Sequence, residues 1–434
     1  MDRWRGASTQ VIDAEGRRVL PGFNDAHVHF ADGGNQLVSV DLRDASSPAE
    51  FARRIVERAR SRPGEWILGG RWDEHRWSPA QPPSRSLIDD GTNGTPVLVT
   101  SADGASALAN AAALGRAGIT EHSPDPVGGA IVRDAHGFPT GLLRGTAIDA
   151  VARVIPQPSA DERQATVLRA LDHAASFGVT SAQDMNPDPA DVAVFADLAE
   201  EGRLTTRLYE ISNETRWFEQ ARLGIRHAFG SPQLRLGGVA GDAGPAASDE
   251  VLTRLMAADH AALQLCLNAD ASGAGSALDL LTGVVRANGS RDRRMRIEHA
   301  ERVTPRETDR VADVAAVMTV QLVPSLGSDL WRRAADRHVP IAVGSDWPSA
   351  SLNPFIGLAT AARVMPIADV VRAYTKGSAF AEFQDGEKGT IVRGALADLV
   401  VLSDDVLRVT PDRIGSIAVV ATIVGGKVVH QRRP

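Results

Sequence analysis

The sequence contains a single cysteine, Cys266, among its 434 residues. One cysteine excludes an intrachain disulfide, and it also excludes zinc sites that are built from several thiolates. A chain without disulfides is typical of a reducing compartment, so we expect a cytoplasmic protein. No stretch approaches the roughly 18 uninterrupted apolar residues of a membrane span, and no apolar segment opens the chain. Neither a transmembrane helix nor a signal peptide is therefore predicted.

Basic segments are also scarce. The formal net charge is -7, and no run rich in lysine or arginine is interleaved with aromatic residues. This composition argues against nucleic-acid binding. We therefore expect a small-molecule substrate and neither a nucleic-acid nor a membrane partner, with a homodimer left open as the assembly.

Short apolar, β-branched segments alternate with amphipathic segments along most of the chain, which is the pattern of βα units around a parallel sheet. The predicted strands lie at 19–30, 178–185, 205–211, 233–240, 262–268, 294–300, 314–324 and 339–348. Eight strands with helical connections predict an α/β fold, the (β/α)8 TIM barrel.

Two regions fall outside this barrel, which is predicted to occupy residues 23–385. Residues 31–150 are too long for one loop and contain extended runs of their own, so we predict a subdomain inserted after the first strand. The β-rich segments 1–22 and 386–434 are predicted to combine in a small β-sandwich beside the barrel.

Four polar residues fall at the ends of predicted strands. His27 and His29 are two residues apart, so they project to the same side of the first strand, while His299 ends the sixth strand and Asp346 the eighth. Each has a structural alternative, as a loop residue, a rim histidine or a turn aspartate. Active sites of these barrels lie at the carboxyl ends of the strands, and imidazole and carboxylate groups are metal ligands. The convergence therefore favours a shared metal site in which Asp346 also transfers protons.

The motifs "PGFNDAHVHF", "RIEHA", "GSDWP" and "GALADLVVL" resemble the metal-dependent amidohydrolase superfamily, in particular its branch of proteins similar to N-substituted formamide deformylase. The resemblance implies a barrel with a β-sandwich from both termini and the hydrolysis of amide-type C–N bonds with one or two divalent metals. It places metal ligands on His27, His29, His299 and Asp346, and catalytic roles on Asp346 and His299. Because the family usually begins with further strands, it also implies that the N-terminal part of the sandwich is incomplete.

The sequence departs from this family pattern on its fourth and fifth strands. The bridging lysine is absent near Ala240, and Asn268 stands where a histidine is expected. A further expected histidine is replaced by Ala105. Asn268, Asp242 and Asp270 are the candidate replacement ligands. Without a bridging lysine we expect one divalent metal ion, zinc first, with iron or manganese as alternatives.

The inserted segment supplies the candidates for substrate binding, namely Arg71, Trp72 and Trp77, with a local aromatic core as the alternative. The leading hypothesis is a mononuclear hydrolase of non-peptide C–N bonds, such as those of formamides or N-acyl amines. The alternatives are a degenerate member of the fold that binds a small ligand, or a metal-assisted lyase or isomerase.

Overall fold

A computed structural model describes residues 6, 7, 9, 11–242, 249–269 and 273–432. The chain divides into two compact units, residues 1–33 with 163–434, and residues 34–162. The strands in the described residues are β1 (Val19–Pro21), β2 (Phe23–Val28), β3 (Val40–Asp41), β4 (Ile67–Trp72), β5 (Val97–Ser101), β6 (Ser106–Ala109), β7 (Gly129–Arg133), β8 (Pro139–Gly145), β9 (Val179–Met185), β10 (Arg207–Asn213), β11 (Phe229–Gly230), β12 (Leu234–Asp242), β13 (Gln264–Asn268), β14 (Arg296–Glu298), β15 (Val317–Gln321), β16 (Ile341–Gly344), β17 (Leu399–Leu402), β18 (Val419–Val424) and β19 (Lys427–Gln431).

The α-helices in the described residues vary from one turn to about five turns. They are α1 (Phe30–Val38), α2 (Pro48–Ser61), α3 (Asp89–Thr92), α4 (Ala111–Arg116), α5 (Ala147–Ala152), α6 (Ala160–Ser176), α7 (Pro189–Glu200), α8 (Trp217–Arg222), α9 (Asp249–His260), α10 (Gly275–Asn288), α11 (Pro305–Asp313), α12 (Ser328–Asp336), α13 (Pro354–Ala361), α14 (Ile367–Arg372), α15 (Ser378–Ala381) and α16 (Pro411–Ile414). Within the part of the chain that the structure describes, no helix is long and apolar enough to cross a membrane.

The first unit is built on a parallel barrel. Its strands follow the order β2, β9, β10, β12, β13, β14, β15 and β16, and each of the eight coincides with a predicted strand. Strands such as β9 are buried along their whole length because side chains face the barrel interior on one side and the helices on the other. The predicted TIM barrel is confirmed.

The barrel closes between its last strand and its first. The backbone N–H of Asp346 donates to the carbonyl of His27 at 2.8 Å, and that of His29 donates to the carbonyl of Trp347 at 2.7 Å. A Cβ atom on Gly344 would lie only 2.6 Å from the Cβ of His27, so this close approach requires glycine. The closure therefore fixes the backbone on both sides of the predicted site.

The chain ends combine in an antiparallel sheet ordered β1, β17, β18 and β19. Gly425 and Gly426, both with positive φ, form the turn between β18 and β19, as a Gly-Gly step in a hairpin predicts. The sheet is held to the barrel by the ion pair of Arg207 with Asp398, whose Nε and Oδ2 atoms are 2.7 Å apart. The predicted pairing of the two termini is confirmed, with one four-stranded sheet in the described residues.

The second unit, residues 34–162, has a mixed sheet ordered β3, β4, β5, β6, β8 and β7. Antiparallel β7 and β8 are among the extended runs that the sequence predicts in this segment. Its core contains Phe51, Ile55 and Ile67. The unit corresponds to the insert predicted at about 31–150.

Two acidic side chains face each other on neighbouring barrel strands. Asp184 of β9 is in register with Glu210 of β10, and both are buried. The Oδ1 atom of Asp184 accepts a hydrogen bond from the N–H of Phe30 at 2.7 Å. Burial raises the pKa of Asp184 to about 8, and it raises the pKa of Glu210 well above its usual value, with the charge of Asp184 adding to the effect. Both carboxyl groups therefore keep their protons to a higher pH in the native state than in the unfolded chain.

We expect Asp184→Asn to make the protein more stable than wild type in alkaline buffer. Between about pH 4 and pH 8 the native state keeps a proton on Asp184 that the unfolded chain has lost, so the free energy of unfolding decreases as pH rises. Asparagine still accepts from Phe30 without this cost. The melting temperature of the variant should exceed that of wild type by on the order of 2 °C at pH 8, with a smaller difference at pH 5. Asp197→Asn, on the exposed face of α7, is the control; parallel pH profiles for Asp184→Asn and wild type would contradict the prediction.

Candidate metal and active site

Each of the two histidines at the end of β2 is held by a hydrogen bond from its own ring Nδ1 atom. His27 Nδ1 donates to Glu298 Oε2 at 2.8 Å, and His29 Nδ1 donates to the carbonyl oxygen of Met185 at 2.9 Å. Since a carboxylate or carbonyl oxygen can only accept, each Nδ1 carries the proton. Each Nε2 atom therefore keeps its lone pair, as in histidines that bind metal ions through Nε2.

Asp346 and His299 both adopt the left-handed backbone conformation, with φ of 57° and 53°. Aspartate and histidine tolerate this conformation better than most residues other than glycine. The Asp346 carbonyl accepts from the N–H of Ser349 at 2.7 Å, which closes a turn immediately after β16. His299 Nδ1 lies 3.2 Å from the side-chain Nε2 of Gln321 on β15. Both side chains are thereby placed at the carboxyl end of the barrel.

The structure brings three of the four predicted residues into one group, and the fourth, His29, lies beside Asp346. Ligand atoms of His27, His299 and Asp346 all lie within 4.8 Å of one another, and they form a group able to hold a metal ion. Asp346 Oδ1 lies 3.7 Å from His27 Nε2 and 3.6 Å from His29 Nε2. These separations are too long for hydrogen bonds. They are close to the roughly 3.4 Å that separates two tetrahedral ligands bound at about 2.1 Å to one ion. The donor set therefore fits one metal ion.

A buried arginine and glutamate support this site. Arg296 Nε lies 2.7 Å from Glu298 Oε1, and both side chains are fully buried. Burial alone would raise the pKa of the Glu298 carboxyl, but Arg296 and His27 outweigh it and hold that pKa at about 2. Burial lowers the pKa of His27, which favours the neutral ring that a metal requires.

Sequence reasoning did not assign a role to Arg296 or Glu298. The available signal was their alternation in "RIEHA", because charged residues at i and i+2 are unusual in a parallel barrel strand and indicate a polar interior. Asp25 lies two residues before His27 on the same strand. The structure shows its buried carboxylate accepting from the N–H groups of Ser345 and His27 and from the hydroxyl of Tyr374. Burial raises the pKa of Asp25 to about 6.

The candidate replacement ligands on β12 and β13 are engaged with each other. Asn268 Nδ2 donates to Asp242 Oδ1 at 2.6 Å, across a directly paired position of the two strands. Asp242 is not in the group formed by His27, His299 and Asp346 within the described ranges. Asp270 lies outside the described residues. Ala240, near the expected position of the lysine, packs in an apolar cluster.

The tryptophans predicted to bind substrate lie in the core of the second unit. Trp72 and Trp77 are 1% and 4% exposed, and both pack edge-to-face on Phe51. Their indole N–H groups donate to Glu74 and to the carbonyl of Ala45. The alternative interpretation, a local aromatic core, accounts for both. Arg71 is half-buried beside them, in the left-handed conformation.

Two cavities are lined in part by the candidate metal ligands. The first, of about 400 Å³, is lined by Ala269, His299, Glu301, Arg302, Gln321, Val323, Ser325 and Asp346. The second, of about 490 Å³, contains His29 together with Asp32, Asp184 and Asp191 in its wall. Volumes of this order are those of small-molecule sites.

We expect Glu298→Gln to weaken metal binding by about 10- to 100-fold, because a neutral amide orients and polarises His27 less well than a carboxylate does. Competition with a chromophoric zinc chelator measures the affinity. Glu200→Gln, exposed at the end of α7, is the matched control.

Circular dichroism shows whether Glu298→Gln keeps the native fold, since it leaves Arg296 without its counter-charge. If it does not fold, Glu298→Asp, which keeps the charge, is measured in its place and should show a smaller loss of affinity. Wild-type affinity in a folded variant would contradict this role of Glu298.

Several known proteins are similar to this chain in sequence or in fold. Protein LONG AFTER FAR-RED 3 of Arabidopsis thaliana is 32% identical over 495 residues, covering 98% of this chain and 84% of that protein. N-substituted formamide deformylase of Arthrobacter pascens is 23% identical over 507 residues, covering 99% and 92%. The crystal structure of a metal-dependent hydrolase from Pyrococcus horikoshii OT3 superposes with a TM-score of 0.73 at 21% identity, covering 94% of this chain and 90% of that one.

The family itself is established by a match over nearly the whole chain. Residues 10–430 fit the sequence model of the amidohydrolase family. This confirms the resemblance that the motifs around His27, His299 and Asp346 carry. The chain belongs to the amidohydrolase family.

Proposed function

We propose that the protein is a mononuclear metal-dependent hydrolase that cleaves an amide-type C–N bond in a small molecule. The observation that supports this proposal is the convergence of His27, His29, His299 and Asp346 at one end of the barrel, with a ligand spacing that fits a single ion. The formamide deformylase of Arthrobacter pascens, similar over nearly the whole chain, acts on bonds of this type, as its name states.

His27, His29 and Asp346 would hold the metal, and His299 lies close enough to bind either the metal or the substrate. Two imidazoles and a carboxylate form a typical three-ligand zinc site, so zinc is the proposed ion, with iron or manganese as alternatives. A divalent ion at this position supplies Lewis acidity and lowers the pKa of water.

Asp346 would transfer the protons in this reaction. Its Oδ1 atom lies 3.7 Å from Nε2 of His27 and 3.6 Å from Nε2 of His29, so it would be close to a water bound at the same ion. The carboxylate takes a proton from that water and returns it to the nitrogen that leaves, which makes the nitrogen a better leaving group. When Gln321 donates to Nδ1 of His299, the proton of that ring lies on Nε2, from which it can donate to the developing oxyanion.

A catalytically inactive, ligand-binding member of the family is the second candidate. Two observations favour it, the apolar surroundings of Ala240 and the mutual hydrogen bond of Asn268 and Asp242, because both remove the second half of a two-metal site. A site of one metal tolerates these losses, and for this reason we prefer the hydrolase.

We expect protein purified without chelators to contain about one equivalent of zinc, iron or manganese and to hydrolyse formamides, N-acyl amines or lactams. Metal analysis and product detection by mass spectrometry measure this. Removal of the metal should abolish turnover, and readdition should restore it.

Asp346→Asn should lower turnover by at least about 100-fold, because the amide can neither take nor return a proton. Asp313→Asn, exposed at the end of α11, should behave as wild type. A preparation with neither bound metal nor turnover would refute the hydrolase. Ligand binding that persists without turnover would instead support the second candidate.

A further inference from the structure

The cavity beside His299 and Asp346 has a charged residue in its wall that the proposed reaction does not use. This residue is Arg302. It is exposed, and within the described ranges it has neither a hydrogen bond nor an ion pair. By contrast, Arg216, in the wall of the second cavity, is bound to Glu219 of the following helix, α8. A guanidinium with no partner at the edge of a substrate-sized cavity is available to a ligand.

The backbone at Arg302 forms a short hydrogen-bonded turn. Residues Ala300–Arg302 form a single 3₁₀ turn directly after His299, closed by a hydrogen bond from the N–H of Val303 to the carbonyl of Ala300. Helix α11 then begins with a capping box formed by Thr304 and Glu307. This turn therefore places the Arg302 backbone close to that of His299.

The acidic groups of the same cavity have other partners. Glu301 accepts a hydrogen bond from the backbone N–H of Gln321, and Asp346 faces the two histidines of β2. Ser325 adds an exposed hydroxyl to the wall. The cavity wall thus contains a cation that has no partner among the described residues, a hydroxyl donor, and Asp346 of the proposed reaction centre.

We propose that the substrate is a small amide that also carries a carboxylate, and that Arg302 binds this carboxylate while the scissile bond lies at Asp346. The proposal rests on the proposed function, since it names the substrate class of that site. Guanidinium and carboxylate groups form paired hydrogen bonds of fixed geometry, so Arg302 would select and orient the substrate as well as attract it. Ser325 can donate to the same carboxylate. In a protein of net charge -7, such a site gives an anionic substrate a specific point of attraction.

The test compares acids with uncharged analogues of the same size. N-formyl and N-acetyl derivatives of glycine, alanine and leucine are titrated by calorimetry into the metal-loaded protein, each beside its carboxamide. We expect at least one acid to bind more tightly than its carboxamide, and Arg302→Gln to weaken its binding by about 10- to 100-fold while leaving the carboxamide unchanged. Arg302→Lys should lose less, because it keeps the charge.

Arg306→Gln is the matched control, since Arg306 is exposed, lies four residues further along the chain and is not in the cavity wall. It should bind every compound as wild type does. A carboxylate that only contacts the metal would bind equally to wild type and to Arg302→Gln, and this result would overturn the inference. Equal binding of acids and carboxamides, or no binding by any acid, would also overturn it.

Turnover separates this inference from the proposed function. Hydrolysis of the amides with no effect of Arg302→Gln on any acid would leave the hydrolase in place and refute the role of Arg302. Binding of an acid that depends on Arg302, without hydrolysis of any compound, would support the anion site and refute the hydrolase.

Discussion

The carboxylate of Glu298 lies between the guanidinium of Arg296 and the ring of His27, and all three side chains are buried. Removing such charges from water is costly, and only complete pairing offsets the cost. Arg296 also donates to the side chain of Gln183 and to the carbonyl of Ala26, so it joins β14 to β9 and β2 inside the barrel. Glu298, which pairs with this arginine, also accepts from Nδ1 of His27 and so orients the ring. The stability of the barrel and the geometry of the site therefore depend on one network.

The site is confined to one arc of the barrel. Its residues come from the ends of β2, β14 and β16, with Gln321 of β15 beside them, and these strands are neighbours once the barrel has closed. The opposite arc, β12 and β13, offers an alanine in an apolar cluster and an amide bound to a carboxylate. A single ion can be held from one side, whereas a two-metal clamp needs ligands from both. The architecture is consistent with the mononuclear chemistry proposed above.

The sequence predicts the barrel well, and with it the strand ends at which the candidate site residues lie, for a physical reason. Strands buried on both faces must be apolar along their length, so β9 and its neighbours are visible as short uninterrupted runs, and polar residues that follow such runs lie at the mouth of the barrel. Contacts between distant residues are not visible in this way. His27 and Glu298 are 271 positions apart, and nothing local to either residue specifies the other. The aromatic residues of the insert show the same limit, because Trp72 and Trp77 have the composition of a binding surface and the burial of a core.

His299 and Asp346 both have a left-handed backbone, so the residue that suits the fold best at these positions is not the residue that the chemistry needs. Glycine would fit both positions with less strain, and asparagine would fit position 346 about as well as aspartate does. Among residues that bind metals, glutamate and cysteine adopt this conformation less readily than aspartate and histidine do. A search for thermostable variants that reads out only folding would therefore be drawn towards replacing these two residues, and its most stable products would have lost the chemistry.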